Sequence, residues 1–174
     1  ARTSDDPAEA TAELLAAGKV VAIYSHGMEY GPRALGARSI LGSPADAGIN
    51  DSLNKRLERS EFMPFAPVVA AEDAKAVFAL TDAMLYAAQF MTITCGVHAE
   101  WRERIPAVVH VDGTARPQVI TRDANPLYYD ILAAFKRRTG LPVMINTSFN
   151  VHEEPIINTP GECARALKDG RIDY

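Results

Sequence analysis

Cysteine is scarce in this 174-residue chain, which has only Cys95 and Cys163. A structural zinc site needs four Cys or His ligands in tight pairs, and no such set can be assembled from neighbouring residues. We therefore expect two reduced, partly buried thiols in a cytoplasmic protein, without a disulfide framework or a metal-stabilised fold.

Long apolar runs and excess positive charge are also missing. No stretch is apolar for long enough to cross a bilayer, and the start of the chain has no signal-peptide pattern. The chain has 18 Lys and Arg against 22 Asp and Glu, a formal net charge of −4. A broad nucleic-acid surface would need Lys and Arg in excess, so we expect neither a membrane nor a nucleic acid as partner.

The length and composition are those of one ordinary globular domain covering residues 1–174, since 48% of the residues are hydrophobic and 23% charged. The chain begins at Ala1 rather than Met, and residues 171–174 resemble the approach to a further strand. We expect a fragment of a longer protein.

Helix and strand patterns alternate along the chain, which predicts an α/β (α+β) fold around a mixed sheet with flanking helices. Asn125 and Pro126 begin the clearest helix pattern, and Gly140 ends it. The other main predictions are a helix over residues 46–59, an edge strand or extended loop over 62–69, a strand over 107–111 and a buried strand over 142–146.

The Gly-rich segment Gly-Pro-Arg-Ala-Leu-Gly at residues 31–36 is the first candidate for chemistry. Its two glycines are spaced as in a P-loop, but Ala37 and Arg38 stand where Lys and Ser or Thr should follow. A Walker-type nucleotide site is therefore not expected. Arg33 and Arg38 could bind phosphate or carboxylate oxygens in pairs, or could form surface ion pairs at a tight turn.

Three further segments carry polar side chains that could bind an anion. Lys55, Arg56 and Arg59 lie at a predicted helix end, where a solvated face is the alternative. Residues 110–117 span the end of the strand predicted over 107–111, and there His110 could carry a proton or be a hydrogen-bonded core histidine. Residues 146–150 could bind a phosphate or a small amide, or could bond their own backbone.

Four motifs, taken together in this order, closely resemble the C-terminal domain of the NodU/CmcH-type O-carbamoyltransferases over nearly the whole chain. They are GMEYGPRALGARSIL at 27–41, FMPFAP at 62–67, HVDGTARPQ at 110–118, and NTSFN at 146–150 with EPI at 154–156. The resemblance implies a YrdC-like fold, a twisted α/β sheet with an open cationic surface. It implies that carbamoyl phosphate is broken down there and its carbamoyl group joined to AMP from ATP, with release of pyrophosphate. A metal-holding N-terminal domain, absent from this chain, would then transfer the carbamoyl group to a hydroxyl acceptor.

The resemblance also assigns site residues. Arg33, Arg116 and Ser148 match catalytic positions that bind carbamoyl phosphate or the phosphate of the adenylate. The proposed binding set adds five residues, namely Lys55, Arg59, His110, Asp112 and Asn150. ATP is the expected cosubstrate, with Mg²⁺ accompanying it; no metal site is predicted within the chain, and Asp112 is its one candidate carboxylate.

Two positions depart from the family pattern. Many relatives have Lys where Leu57 stands and Arg where Met63 stands, so two expected phosphate contacts are missing. An alternative hypothesis is therefore a non-catalytic module that binds nucleotide or carbamoyl phosphate and supports a partner domain. An RNA-binding use of the same surface is a third hypothesis, against which the net charge of −4 argues.

Overall fold

The computed structural model describes residues 4–59 and 65–174, and this part of the chain forms a mixed α/β fold. The strands are β1 Val21–Tyr24, β2 Arg38–Gly42, β3 Ala66–Ala70, β4 Cys95–Gly96, β5 Thr114–Ala115, β6 Gln118–Ile120 and β7 Val143–Ser148. The helices are α1 Pro7–Ala16, α2 Gly48–Arg56, α3 Ala71–Val77, α4 Asp82–Ala88, α5 Ala99–Arg102, α6 Pro126–Thr139 and α7 Pro160–Lys168.

The main sheet has five strands in the order β1-β2-β7-β3-β6, and β4 pairs with β5 in a separate two-stranded sheet. All neighbours in the main sheet are antiparallel except β3 and β6, which are parallel. The predicted mixed sheet is therefore confirmed. Its central strand β7 is buried over residues 143–146 and ends in the half-buried Thr147 and Ser148.

Helix α6 is the helix predicted from Asn125 to Gly140. The Asn125 side chain accepts a hydrogen bond from the backbone N–H of Tyr128, and Gly140 ends the helix with a left-handed φ of 73°. Its buried face includes Ile131 and Phe135 and packs against α1, β3 and β7. The helix thus closes one side of the core beneath the central strand.

Helix α2 is shorter than the predicted 46–59, since it ends at Arg56 and leaves Arg59 in the segment that follows. Leu57 caps this helix and is 1% exposed, within the hydrophobic core. The departure at position 57 therefore fills the core rather than facing solvent. Met63, the second departure, lies outside the described residues, as do Phe62 and Pro64.

The prediction of an edge strand over residues 62–69 was wrong, because β3 lies between β7 and β6. Proline usually excludes a strand from the interior of a sheet because it has no N–H to donate. Pro67 is accommodated because β6 pairs only from Val68 onward, so Pro67 faces only Ile145 of β7.

The prediction of a strand over residues 107–111 was also wrong. Pro106–Val108 form a single 3₁₀ turn, as suits a proline whose missing N–H is not needed there. A tight turn follows, in which His110 N–H donates to the Thr114 carbonyl at 2.7 Å and Gly113 N–H donates to the His110 carbonyl at 2.9 Å. The strand of this region is β5, a few residues later.

The last residues run beside β1, where Ala22 N–H donates to the Tyr174 carbonyl at 2.9 Å. The Asp173 carboxylate accepts from Val20 N–H at 2.8 Å and forms an ion pair with Arg56 at 2.9 Å. No helix in the described ranges is long and apolar enough to span a membrane.

Candidate functional site

Four of the predicted site residues line one cleft beside the end of β7. Arg33, Arg59, Arg116 and Ser148 reach it from four separate segments of the chain. The cleft holds about 460 Å³ of empty space, part of it open to solvent. Its other lining residues are Pro32, Ala34, Ala66, Met91, Asn146 and Thr147.

None of the three arginines of the cleft forms a salt bridge with a carboxylate in the described part of the chain. Burial lowers the pKa of Arg59, while burial and then the nearby charge of Arg33 lower the pKa of Arg116. Because arginine stays protonated in proteins, the cleft concentrates positive charge and is suited to a phosphate or carboxylate.

Arg59 is held in place within the cleft. One of its terminal nitrogens, Nη2, donates to Thr147 Oγ1 at 3.0 Å, and its guanidinium carbon lies 5.5 Å from the centre of the Phe65 ring. Since the Thr147 oxygen accepts from Arg59, its own hydroxyl hydrogen is left to be donated to a ligand.

Ser148 is oriented by Asn150. The Asn150 amide nitrogen donates to the carbonyls of Val151 at 3.0 Å and Glu154 at 2.8 Å, so its oxygen Oδ1 faces the Ser148 hydroxyl. The Ser148 hydroxyl donates to that oxygen. Asn150 itself lines an adjoining cavity, together with Leu57 and Phe149.

The loop that carries Arg33 is folded around the carboxylate of Glu29. One oxygen, Oε1, accepts from the backbone N–H groups of Leu35 at 2.7 Å, Ala37 at 2.6 Å and Arg38 at 3.1 Å. Charge-assisted bonds of this kind are stronger than neutral ones. Glu29 therefore fixes the segment that immediately follows Arg33.

Amides on two strands hold the same loop from the sheet side. Asn146 Nδ2 on β7 donates to the Ala34 carbonyl at 3.0 Å, and Gln118 Nε2 on β6 donates to the Leu35 carbonyl at 2.9 Å. Asn146 Nδ2 also donates to Gln118 Oε1 at 2.7 Å, which joins the two amides into one buried network. The loop is thereby tied directly to the strand that carries Thr147 and Ser148.

Gly36 allows this loop to approach α6. Its φ is +114°, and a Cβ at this position would lie 2.3 Å from the Tyr128 ring. No residue with a side chain can make that approach without displacing the ring.

Arg38, the second arginine of the Gly-rich segment, does not reach the cleft-lining set. It is 4% exposed and donates to the carbonyls of Ser25 at 2.6 Å, Ala37 at 2.9 Å and His26 at 3.1 Å. Its guanidinium also lies 3.7 Å from the centre of the Tyr24 ring. Arg38 therefore serves the structure of the loop, whereas Arg33 faces the cleft.

Lys55, His110 and Asp112 are not among the residues that line the cleft. Lys55 is exposed in the last turn of α2. His110 Nδ1 lies 2.9 Å from Thr114 Oγ1, and Asp112 accepts from the Thr114 hydroxyl at 2.7 Å and from its N–H at 3.0 Å. These two bonds, the hydroxyl's first, lower the pKa of Asp112. His110 and Asp112 thus shape the turn that leads through β5 to Arg116.

Sequence reasoning did not assign roles to Glu29, Gln118, Asn146 and Thr147. Asn146 and Thr147 belong to the polar segment that supplied Ser148 and Asn150, so their residue types were a usable signal. The roles of Glu29 and Gln118 depend on contacts with backbone groups of the loop, and nothing in their spacing reveals those partners. In the described ranges, no group of three or more His, Cys, Asp or Glu residues could hold a metal ion.

A family model described as "Carbamoyltransferase C-terminus" matches residues 12–174. Among curated proteins, the chain is 40% identical over 166 residues to "Uncharacterized protein MJ1058" of Methanocaldococcus jannaschii, covering 95% of this chain and 27% of that protein. It is 42% identical over 170 residues to "Nodulation protein NolNO" of Sinorhizobium fredii, covering 97% and 25%. It is 36% identical over 163 residues to "Nodulation protein U" of Rhizobium tropici, covering 94% and 27%. The chain thus spans about a quarter of the length of these relatives.

Two solved structures share the fold. One is a "full-length HypF in the phosphate- and nucleotide-bound form", with a TM-score of 0.67 and 20% sequence identity, over 97% of this chain and 20% of that one. The other is T. kodakarensis HypF, with a TM-score of 0.66, 20% identity and the same coverage. These likenesses agree with the predicted YrdC-like α/β fold.

Proposed function

The chain belongs to the carbamoyltransferase C-terminus family, and from this premise we propose that it binds carbamoyl phosphate and ATP and forms carbamoyl-adenylate. An N-terminal domain of the same protein would then transfer the carbamoyl group to a hydroxyl acceptor. The observation that carries this proposal is the cleft in which Arg33, Arg59 and Arg116 converge without a carboxylate partner among the described residues. Both proposed substrates carry phosphate groups, and one guanidinium group can donate hydrogen bonds to two phosphate oxygens at once.

The proposed reaction needs charge stabilisation more than a nucleophilic side chain. Water cleaves carbamoyl phosphate to carbamate and inorganic phosphate. A carbamate oxygen then attacks the α-phosphorus of ATP; the new P–O bond forms as the bond to the bridging oxygen breaks, and pyrophosphate leaves with the electron pair. Charge builds on phosphoryl oxygens in such steps, so fixed cations and hydrogen-bond donors accelerate them.

The described residues divide into those that would touch the substrates and those that would position them. Arg33, Arg116 and the Arg59–Thr147 pair would bind the phosphoryl oxygens, with Ser148 beside them. Asn150 would position the substrates by orienting Ser148, and His110 and Asp112 would do so by shaping the turn before Arg116. The exposed Lys55 would attract anions from solution. Since no carboxylate lines the cleft in the described ranges, the residues present do not fit a protein-held metal, and Mg²⁺ would be bound by the nucleotide's own phosphates.

The names of the similar proteins support the two halves of this proposal differently. The family model concerns carbamoyl transfer, and it matches nearly all of the chain. One HypF structure is phosphate- and nucleotide-bound, and this fold makes up 20% of that chain. The support for the ATP half of the proposal is therefore nucleotide binding by a protein that contains this fold.

Calorimetric titration of the 174-residue chain with carbamoyl phosphate, and separately with ATP and Mg²⁺, tests the proposal. Arg116→Ala removes a charged hydrogen-bond donor, which is worth about 1.5–3 kcal/mol and so weakens binding by roughly 10- to 150-fold. The control is Lys168→Ala, which removes one positive charge from the exposed end of α7 and should leave both affinities unchanged. A folded wild-type chain that binds neither ligand contradicts the proposal.

The alternative, a non-catalytic binding module, draws on one observation. The family resemblance implies Lys at position 57, whereas the Leu57 side chain lies in the core here. ATP–pyrophosphate exchange in the presence of carbamoyl phosphate separates the two: binding without exchange, even with the N-terminal domain supplied, favours the module.

A further inference from the structure

Two of the residues that line the cleft, Asn146 and Ser148, carry side-chain oxygens that can accept hydrogen bonds. Ser148 and Asn146 are two residues apart on β7, so both side chains point to the same side of the sheet. We propose that this pair receives the amino group of the carbamoyl unit, so that the site selects carbamoyl phosphate over acyl phosphates that lack N–H groups. The inference rests on the proposed function and deepens it.

Ser148 can offer only lone pairs to a ligand. The Asn150 amide is fixed by two carbonyl acceptors, so its oxygen must face the Ser148 hydroxyl. A carboxamide oxygen cannot donate, and the Ser148 hydrogen is therefore used in that bond. What remains on Ser148 Oγ is acceptor capacity.

Asn146 supplies the second acceptor. Its nitrogen donates to the Ala34 carbonyl and to Gln118 Oε1, which fixes the amide orientation. Its oxygen Oδ1 is buried and has no hydrogen-bond partner among the described residues. The residue is 1% exposed and lines the cleft. A buried carbonyl oxygen left without a donor costs free energy, so this atom is the part of the cleft most in need of a ligand's N–H.

The cleft therefore has donors for one end of the ligand and acceptors for the other. Arg33, Arg59 and Arg116 can only donate, which suits phosphoryl oxygens. An amino group with two N–H bonds matches the two acceptors. Acetyl phosphate has nearly the same shape, but its methyl group would leave both acceptors unpaired. A site built around hydrogen bonds to a substrate N–H rejects an analogue that lacks it more strongly than an apolar pocket could.

The test is a titration of the 174-residue chain with freshly dissolved carbamoyl phosphate, acetyl phosphate and inorganic phosphate. We expect carbamoyl phosphate to bind at least about tenfold more tightly than acetyl phosphate, since one hydrogen bond of about 1.4 kcal/mol gives that ratio. Ser148→Ala should bring the ratio towards one. Asn150→Ala should also lower it, because it frees the Ser148 hydroxyl to donate instead of accept. Ser52→Ala, on the exposed side of α2, is the matched control and should keep the wild-type ratio.

The outcomes separate the inference from the proposed function. Equal affinities for the two acyl phosphates in the wild-type chain overturn the inference while leaving the phosphate cleft intact. Binding of neither acyl phosphate nor ATP overturns both. Circular dichroism establishes that each variant is folded; if Ser148→Ala is not, the wild-type ratio and Asn150→Ala still decide the question.

Discussion

Two glycines in the loop that carries Arg33 have nearly the same backbone conformation but different surroundings. Gly31 has φ +111° with nothing near its missing Cβ, whereas Gly36 has φ +114° with the Tyr128 ring 2.3 Å from that position. Comparing substitutions at the two glycines separates the free-energy cost of the backbone conformation from that of the contact with the Tyr128 ring. Both positions strain any residue with a side chain, but only Gly36 also places that side chain into a buried ring.

We predict that Gly36→Ala destabilises the chain more than Gly31→Ala. Backbone strain should cost about 1–3 kcal/mol at either position, and overpacking against Tyr128 should add about 1–3 kcal/mol at Gly36. The free energy of unfolding in urea, measured for both variants, checks this. Equal losses would mean that the loop can move away from α6 without cost.

At the residue scale, the sequence could not separate the arginine that lines the cleft, Arg33, from the one that holds the loop together, Arg38. The Gly-rich motif at residues 31–36 contains Arg33, and Arg38 follows it. The positions of the two arginines in the sequence do not show which one faces the cleft. Arg38 is used internally because carbonyls of residues 25, 26 and 37 surround it. Nor could the sequence show that the Asn146 oxygen lacks a donor, since that depends on Ala34 and Gln118, distant in the chain.

At the scale of elements, helix α7 shows how a helix start is fixed by a few neighbouring residues. Helix α7 begins with a full capping box, in which the Thr159 side chain accepts from the Glu162 N–H while the Glu162 carboxylate accepts from the N–H of Thr159. The Glu162 carboxylate also accepts from Asn158 N–H at 2.9 Å. These bonds, that from Asn158 first, lower the pKa of Glu162 below its usual value of 4.5.

We predict that this cap makes stability depend on pH. Because the pKa of Glu162 is lower in the folded than in the unfolded chain, its contribution is complete above about pH 4.5 and is lost as the pH falls through the folded value. Glu162→Gln keeps hydrogen-bond acceptors but not the charge, so its deficit relative to wild type should be largest near neutral pH and should shrink in acid. Urea unfolding at pH 7, 5, 4 and 3 measures this.

The control is Glu13→Gln on the exposed side of α1, where the carboxylate accepts no hydrogen bond from the described residues. Its deficit should vary little over the same range. A Glu162→Gln deficit that does not change between pH 7 and 3 would argue that the carboxylate adds nothing beyond its neutral hydrogen bonds.

Two of the strand predictions were wrong at positions that involve proline. Pro67 suggested an edge strand, but its missing N–H falls before the β3–β6 pairing begins at Val68. Pro106 precedes an apolar run that has the composition of a strand, yet it starts a 3₁₀ turn that packs against α2, where Asn50 Nδ2 donates to the Ala107 carbonyl at 3.0 Å. Burial explains the apolar residues equally well in a strand or a turn.

At the scale of the whole molecule, the order of strands was beyond sequence reasoning. Strand β7 is late in the chain but lies between β2 and β3, and this insertion brings Thr147 and Ser148 beside residues 33, 59 and 116. Pairing across such distances is decided by the core as a whole. The motifs predicted that these residues share a site, and the sheet order is what places them together.

The whole-molecule charge gives the last prediction. The net charge is −4, so the chain as a whole repels anions, and we expect the arginine cleft to be the place where a phosphate anion binds. Pyrophosphate, which the proposed reaction releases, should bind the folded chain but not the unfolded one. At 100 times its Kd it would stabilise the fold by about 2.7 kcal/mol, or roughly 5–10 °C in Tm for a chain of this length. The reference is sodium chloride at equal ionic strength, which screens charges without filling the cleft. In the double variant Arg33→Ala and Arg116→Ala the shift should be largely abolished, and an undiminished shift would place the anion elsewhere on the surface.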